Sequence, residues 1–300
     1  MRRALIGLIT LGSALLALWF GGGFDWLARE ALAGQREFQS ALGQTINALR
    51  RGDTGSLVAI IAVCFAYGFF HAVGPGHGKV LIASYGVGRQ VALPRLMGIA
   101  LVSSLGQAVT ALVVVYGSLW LLGWGRQDLQ VFADVTLSRI SALMLGLIGV
   151  WLIWRGVRHL RGAGVSHHDH HDHHDHDHSH CDHVHLSSAS QIAGATSARE
   201  TAAMIAAIAI RPCTGALLLL LLTWQFGLVL AGVLGVFAMA LGTASVVLVV
   251  ALLAGGAARS LLVSASDGKV AGVILPLVEL GAGLVIVLAA WVAFSLIRPL

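Results

Sequence analysis

The sequence predicts an all-α fold: a polytopic membrane helix bundle of six to seven transmembrane helices with a disordered His-rich cytoplasmic loop. Three observations support this prediction. Hydrophobic residues make up 57% of the 300 residues and charged residues only 11%, which is typical of membrane proteins. The apolar residues fall into long stretches, most of which approach or exceed the roughly 20 residues that span the hydrocarbon layer as a helix. Histidine and aspartate are concentrated in one internal segment.

Seven apolar stretches divide the chain into five predicted segments. The segments are an N-terminal transmembrane anchor (1–23), an amphipathic outer-surface segment (24–56), a first membrane bundle half (57–161), a His/Asp-rich cytoplasmic loop (162–199) and a second membrane bundle half (200–300). The stretches are Ala4–Phe20, Leu57–Val73, Leu96–Leu122, Leu137–Trp154, Ala202–Trp224, Phe226–Ala254 and Val270–Ile297.

The first two segments each leave an alternative open. The first stretch follows Arg2 and Arg3, as in a signal peptide, but the nearest small-x-small cleavage site begins only at Ala31. That is far downstream for such a site, so we predict an uncleaved anchor and keep cleavage as the alternative. From Phe24 to Arg51, apolar residues recur at helical spacing with charges between them. This pattern predicts an amphipathic helix on the outer membrane surface, or else a solvated linker helix.

Basic residues in the connections predict the orientation. More of them lie on the side that holds the amino terminus and the His-rich segment, which is expected of the cytoplasmic side. We therefore predict a multi-pass inner-membrane protein whose His-rich loop is cytoplasmic and whose carboxyl terminus is outside, with the lipid bilayer as a partner. The basic residues form no stripe, so nucleic-acid binding is not expected.

The second apolar stretch ends in His-Ala-Val-Gly-Pro-Gly-His-Gly-Lys, residues 71 to 79. Glycine and proline forbid a regular helix between His71 and His77, and the carbonyls that they release need protein, water or an ion as partner. We predict that His71 and His77 bind a metal ion in a transport path; the alternative is that both only cap a helix end. Lys79 has no lone pair for a metal and is predicted to be a cytoplasmic anchor. The path-shaping residues here are Gly74, Pro75 and Gly76.

A second broken segment is predicted at Arg211-Pro212-Cys213, in the middle of the fifth stretch. Pro212 interrupts the helical hydrogen bonds and Cys213 offers a soft sulfur ligand. Arg211 is unfavourable at that depth without a partner. Glu279 is the only carboxylate of the last stretch, so we predict that it pairs with Arg211; alternatively, Glu279 takes up a proton and couples the transport cycle.

Other polar groups within the stretches allow two interpretations. Ser103, Ser104 and Gln107 lie along one side of the third stretch, where they either line a path or form interhelical hydrogen bonds. Cys64 is predicted to pack as a small apolar residue.

The His/Asp-rich segment is predicted to capture or sense metal. Imidazole binds nickel, cobalt, copper and zinc, and neighbouring aspartates offset the charge of a bound dication. The segment cannot bury apolar area, so we expect it to be disordered without metal. Its histidines are His167, His168, His170, His171, His173, His174, His176, His178, His180, His183 and His185.

These motifs together resemble the NicO-type nickel/cobalt efflux family of bacterial inner-membrane proteins, over nearly the whole chain. The resemblance implies a cytoplasmic His-rich loop, export of Ni(II) and Co(II) as substrates, and metal handling by His71, His77 and Cys213. A related family of importers carries a His-x-x-x-x-Asp-His element, but here Gly76 precedes the second histidine. The missing carboxylate favours export, with uptake as the alternative.

Other classes of function are less consistent with the sequence. A Gly-x-x-x-x-Gly-Lys-Ser/Thr element is missing, so we predict a secondary transporter without a permanently bound cofactor. A transmembrane thiol electron carrier that used Cys64 and Cys213 would give the His-rich loop no function. An intramembrane metalloprotease would need a His-Glu-x-x-His element, which the chain lacks. We therefore do not expect an enzyme.

Overall fold

The computed structural model describes residues 21–53, 55–74, 77–89, 91–123, 125–163, 198–264 and 268–297. Residues 1–20 of the predicted N-terminal anchor and residues 164–197 of the predicted His-rich loop lie outside these residues. The described residues form α-helices and a π-helical segment, and contain no strand. The helices are α1 (Gly23–Arg50), α2 (Ser56–Val73), α3 (His77–Arg89), α4 (Leu93–Leu121), α5 (Arg126–Val131), α6 (Ser138–Ala163), α7 (Ala198–Ala209), α8 (Thr214–Gln225), α9 (Val229–Ser264) and α10 (Gly268–Leu296), with the π-helical segment Phe132–Leu137 joining α5 to α6.

The predicted polytopic helical bundle is confirmed. Five segments of the described chain are long and apolar enough to cross a membrane, and α7 with α8 forms a sixth if this pair, bent by 62°, is one span. The other five are Ser56–Val73, Leu93–Leu121, Gln127–Arg161, Val229–Gly256 and Pro276–Leu296.

The amphipathic segment forms the single helix α1, which packs along α2. Ala31, Leu42 and Ile46 are buried, and Phe38 stacks on Phe70 with ring centroids 5.4 Å apart. Phe70 is near the end of α2, far from the loop that joins the two helices. A helix lying on the membrane surface would meet α2 only near that loop, so these contacts differ from the expected surface arrangement.

Two apolar clusters form the core, one at each end of the bundle. The first cluster contains Ile60 of α2, Val115 of α4 and Leu217 of α8. The second cluster contains Leu81 of α3 and Met204 of α7. Of the long helices, α4 and α9 contribute to both clusters, each with one part of its length to the first cluster and another part to the second.

A polar layer lies between the clusters. On α4, Ala100 belongs to the second cluster and Ala108 to the first, and Ser104 and Gln107 lie between them in the chain. The same change from one cluster to the other occurs along α9, from the π-helical segment into α6, and across the break between α7 and α8. We call the polar residues at these positions the mid-bundle polar layer: Ser104, Gln107, Ser141, Cys213 and Thr243.

Glycines allow close contact between two pairs of helices. A Cβ on Gly68 of α2 would overlap the carbonyl of Met239 on α9, and one on Gly242 of α9 would overlap the carbonyl of Phe65. Between α6 and α10, a Cβ on Gly149 would lie 3.0 Å from the carbonyl oxygen of Gly283. Small residues are the usual means by which membrane helices approach each other this closely.

Candidate functional site

The first broken segment separates α2 from α3. Gly74 has an extended ψ of 165°, which agrees with the restriction that a following proline imposes. The ammonium of Lys79 donates hydrogen bonds to the carbonyl oxygens of Ala72 and Gly74. Lys79 was predicted to be a cytoplasmic anchor, but its ammonium turns back and caps the carboxyl end of α2, where free carbonyls attract a cation.

His71 lies in the last turn of α2 and is exposed. Its ring stacks on Tyr67, with centroids 6.0 Å apart and planes 8° apart, because residues four apart lie on the same face of a helix. Gln35 of α1 donates a hydrogen bond of 3.1 Å from Nε2 to the Tyr67 hydroxyl. The backbone of α3 begins at His77, but the His77 side chain, Pro75 and Gly76 lie outside the described residues. A site shared by His71 and His77 therefore stays a prediction.

The second broken segment separates α7 from α8, as Pro212 predicted. The break bends the two helices by 62°, and Pro212 itself is buried. Cys213 is the N-cap of α8, with φ −78° and ψ 143°. Its Sγ accepts the backbone N–H of Ala216 at 3.3 Å, so the sulfur lies at the positive end of the helix.

The two broken segments meet. A Cβ on Gly215, in the first turn of α8, would lie 2.5 Å from the Tyr67 hydroxyl oxygen, so the absence of a side chain there lets the Tyr67 ring lie against α8. Cys213 is within electrostatic reach of Tyr67. His71 in turn is within electrostatic reach of Arg211 and Lys79. The structure thus brings an imidazole, a thiol and two cationic side chains into one region.

The predicted pairing of Arg211 with Glu279 is wrong. Glu279 lies 3.2 Å from Nε of Arg155 and 3.2 Å from Nδ1 of His159, and only 5% of its side chain is exposed. Both partners are on α6. The glycine contacts between α6 and α10 bring the Arg155 side chain beside Glu279, whereas Arg211 lies in the second broken segment. The ion pair with Arg155 and the contact with His159 link α6 to α10.

Ser104 and Gln107 line a small cavity together with Cys213 and Thr243. Gln107 also donates from Nε2 to the carbonyl oxygen of Ile208 at 3.2 Å. The interhelical hydrogen bond is therefore present at Gln107, whereas the lining of a transport path stays a prediction. Ser103 is buried and is not among the residues that line the cavity.

Sequence reasoning missed Gln35, Tyr67 and Thr243. Gln35 is in the amphipathic segment, which carries many polar residues, so nothing set it apart. Tyr67 was visible as the residue one helical turn before His71. Thr243 is a polar residue in an apolar stretch, which was the one available signal for its position.

A metal ion bound in this region would need oxygen as well as nitrogen and sulfur. Among the described residues, no group of three or more His, Cys, Asp or Glu side chains is close enough to hold a metal. Imidazole and thiolate suit nickel, cobalt and the neighbouring divalent metals. Backbone carbonyls, hydroxyl groups or water would have to complete the coordination.

Comparison with known proteins agrees with this chemistry. Residues 57–189 match the NicO family model, described as a high-affinity nickel-transport protein. This part of the chain is therefore similar to that family. It is also 29% identical over 257 residues to a Haemophilus influenzae protein described as a candidate nickel/cobalt efflux system, and the alignment covers 81% of this chain and 79% of that relative. No solved structure matches. The resemblance that the motifs indicated is thus confirmed.

Proposed function

We propose that this protein is a secondary transporter that exports Ni(II) and Co(II) from the cytoplasm across the inner membrane. The observation that supports the proposal most directly is the meeting of the two broken segments, with His71 at the end of α2 and Cys213 at the start of α8. The relative described as a candidate nickel/cobalt efflux system supports the choice of metals and the direction.

In this proposal the cytoplasmic His-rich loop captures the ion and passes it to His71 and His77. Imidazole nitrogen replaces part of the ion's water, and Cys213 then supplies sulfur. Arg211 and Lys79 lie within electrostatic reach of His71 and would repel a dication. Their repulsion weakens binding, which helps release, because a transport site must bind weakly enough to let the ion leave.

Uptake is the second candidate function. The matching family model is described by high-affinity nickel transport, and that description names no direction. An importer would use the same broken segments and the same ligands. The two functions differ in the sign of the change in cellular metal.

Cell-associated radioactive nickel and cobalt test the proposal. We expect cells that lack the protein to accumulate both metals and to become sensitive to them, because the export route is gone. His71→Ala and His77→Ala should reproduce this defect at normal protein levels. Cys64→Ala is the matched control, since Cys64 is buried in the first cluster. Lower metal content in cells without the protein would instead establish uptake.

The role of the His-rich loop is tested separately. Removing residues 167–185 should raise the cytoplasmic nickel concentration needed for half-maximal export while leaving the maximal rate close to that of the full chain, because a capture segment changes supply and not the path. A replacement of the same length with serine and glycine controls for the length of the connection. Complete loss of export with this replacement would contradict a capture role.

A further inference from the structure

A small cavity lies in the mid-bundle polar layer, between α4, α8 and α9. Its volume is about 10 Å³, close to the roughly 10–15 Å³ that one water molecule needs. Four of its lining residues are polar: Ser104 and Gln107 on α4, Thr243 on α9, and Cys213 at the break between α7 and α8. The lining residues are Ser104, Gln107, Ala108, Cys213, Ala216, Val236, Met239, Ala240 and Thr243.

The two hydroxyl groups of the cavity use their hydrogens elsewhere. Ser104 donates its hydrogen to the carbonyl oxygen of Ala100 at 2.9 Å. Thr243 donates its hydrogen to the carbonyl oxygen of Gly68 at 3.2 Å. A hydroxyl has one hydrogen and two lone pairs, so each group has only lone pairs left for the cavity.

The amide and the thiol each add an atom with a lone pair to the cavity. Gln107 directs its Nε2 to the carbonyl oxygen of Ile208, which leaves Oε1 as an acceptor. The sulfur of Cys213 accepts the N–H of Ala216, and a metal ion would displace the thiol proton. The cavity therefore presents three oxygens and one sulfur as electron-pair donors, and a small cation fits this set better than an anion or an apolar group.

We propose that this cavity is a second cation site, in which Ser104, Gln107, Cys213 and Thr243 hold a divalent transition-metal ion on its way past His71. The inference rests on the proposed function, because it takes the transported metal to be the occupant. The sulfur favours a nickel or cobalt ion over magnesium or calcium, which prefer oxygen alone. The four ligands belong to three helices, so their separation would open the site and release the ion.

Protection of Cys213 from alkylation by N-ethylmaleimide tests the site on the full-length protein in liposomes. We expect Ni(II) to slow alkylation of the Cys213 peptide, measured by mass spectrometry, because the bound ion occupies the sulfur. Ser104→Ala and Thr243→Val should each raise the nickel concentration for half-protection by about tenfold, as loss of one ligand predicts. Thr243→Ser, which keeps the hydroxyl, should protect as the natural protein does.

Ser103→Ala is the matched control, because Ser103 is equally buried on α4 but does not line the cavity. Equal protection in Ser104→Ala, Thr243→Val and the natural protein would overturn the proposal, and so would a complete lack of protection, which would leave water as the occupant. A different observation would contradict the proposed function: cells with and without the natural protein would contain the same amounts of nickel and cobalt. If nickel export depends on His71 but nickel does not protect Cys213 from alkylation, the proposed cavity site fails and the proposed function does not.

Discussion

Tyr67 stacks on His71 one helical turn away, and Gln35 of α1 holds the Tyr67 hydroxyl with a hydrogen bond of 3.1 Å. The orientation of the imidazole at the end of α2 thus depends on a neighbour that another helix fixes. Since the same Tyr67 ring lies against Gly215 of α8, movement of α8 relative to α2 would shift this ring and change the orientation of the His71 imidazole.

A double-mutant cycle measures the contact between Gln35 and Tyr67. We expect Gln35→Leu and Tyr67→Phe each to lower the free energy of unfolding, and the combined variant to lose less than the sum. The difference should be about 0.5–1.5 kcal/mol, the net value of one such hydrogen bond. Thermal unfolding in detergent gives the change in the free energy of unfolding for the two single variants and for the combined variant. Gln44→Leu, on the same helix at an exposed position, controls for the change of residue type. If the losses of the two single variants simply add in the combined variant, the contact is contradicted.

Cys213 and Cys64 should differ in their effect on transport. We expect Cys213→Ser to raise the nickel concentration for half-maximal transport by about tenfold, because a neutral hydroxyl replaces a thiolate ligand. Cys64→Ala should keep the natural transport rate, since Cys64 packs in the first cluster as a free thiol. Initial rates of nickel movement in liposomes provide the measurement. An equal loss of transport in Cys213→Ser and Cys64→Ala would favour a thiol electron carrier instead.

The contact between α2 and α9 should tolerate no side chain at Gly68. We expect Gly68→Ala to lower the free energy of unfolding by about 3 kcal/mol, because the new Cβ overlaps the carbonyl of Met239 and overpacking is destabilising. Gly281→Ala in α10 is the control, since no atom lies within 4 Å of its Cβ position. The control should be neutral or slightly stabilising. Melting temperatures that fall equally in both variants would contradict the close approach.

The buried ion pair of Glu279 with Arg155 should matter more than an exposed pair. We expect Glu279→Gln to lower the free energy of unfolding by about 2–3 kcal/mol, because the Arg155 guanidinium loses the carboxylate that offsets its charge. Asp53→Asn breaks the Arg51–Asp53 contact at 3.6 Å, where both side chains are more than half exposed, and should change stability by less than about 1 kcal/mol. Chemical unfolding followed by tryptophan fluorescence compares the two. A smaller loss of stability in Glu279→Gln than in Asp53→Asn would contradict the assignment of Arg155 as the partner of Glu279.

The sequence predicted the helical bundle and both broken segments, because long apolar stretches and helix-breaking residues act locally. α2 ends before Gly74, and Pro212 lies in the break between α7 and α8, wherever these segments lie in the bundle. The positions of His71 and Cys213 at the ends of α2 and α8 follow from the same local rules.

The partners of side chains could not be predicted in the same way. Glu279 was assigned to Arg211 because both lay in apolar stretches, but the contact between α6 and α10 places Arg155 and His159 beside Glu279 instead. Which helices touch is decided by glycines such as Gly149 and Gly283, whose pairing the chain order does not reveal. The role of Thr243 depends on a cavity between three helices, and its place as a polar residue in an apolar stretch does not by itself reveal that cavity.

The match to the nickel-transport family begins at residue 57, whereas α1 ends at Arg50. Yet α1 contributes Gln35 to the hydroxyl of Tyr67 and covers Phe70 with Phe38. A shortened protein that started at the family boundary would lose the hydrogen bond that orients the ring beside His71 and would expose the apolar face of α2. The smallest unit able to function should therefore begin upstream of that boundary, at the start of α1.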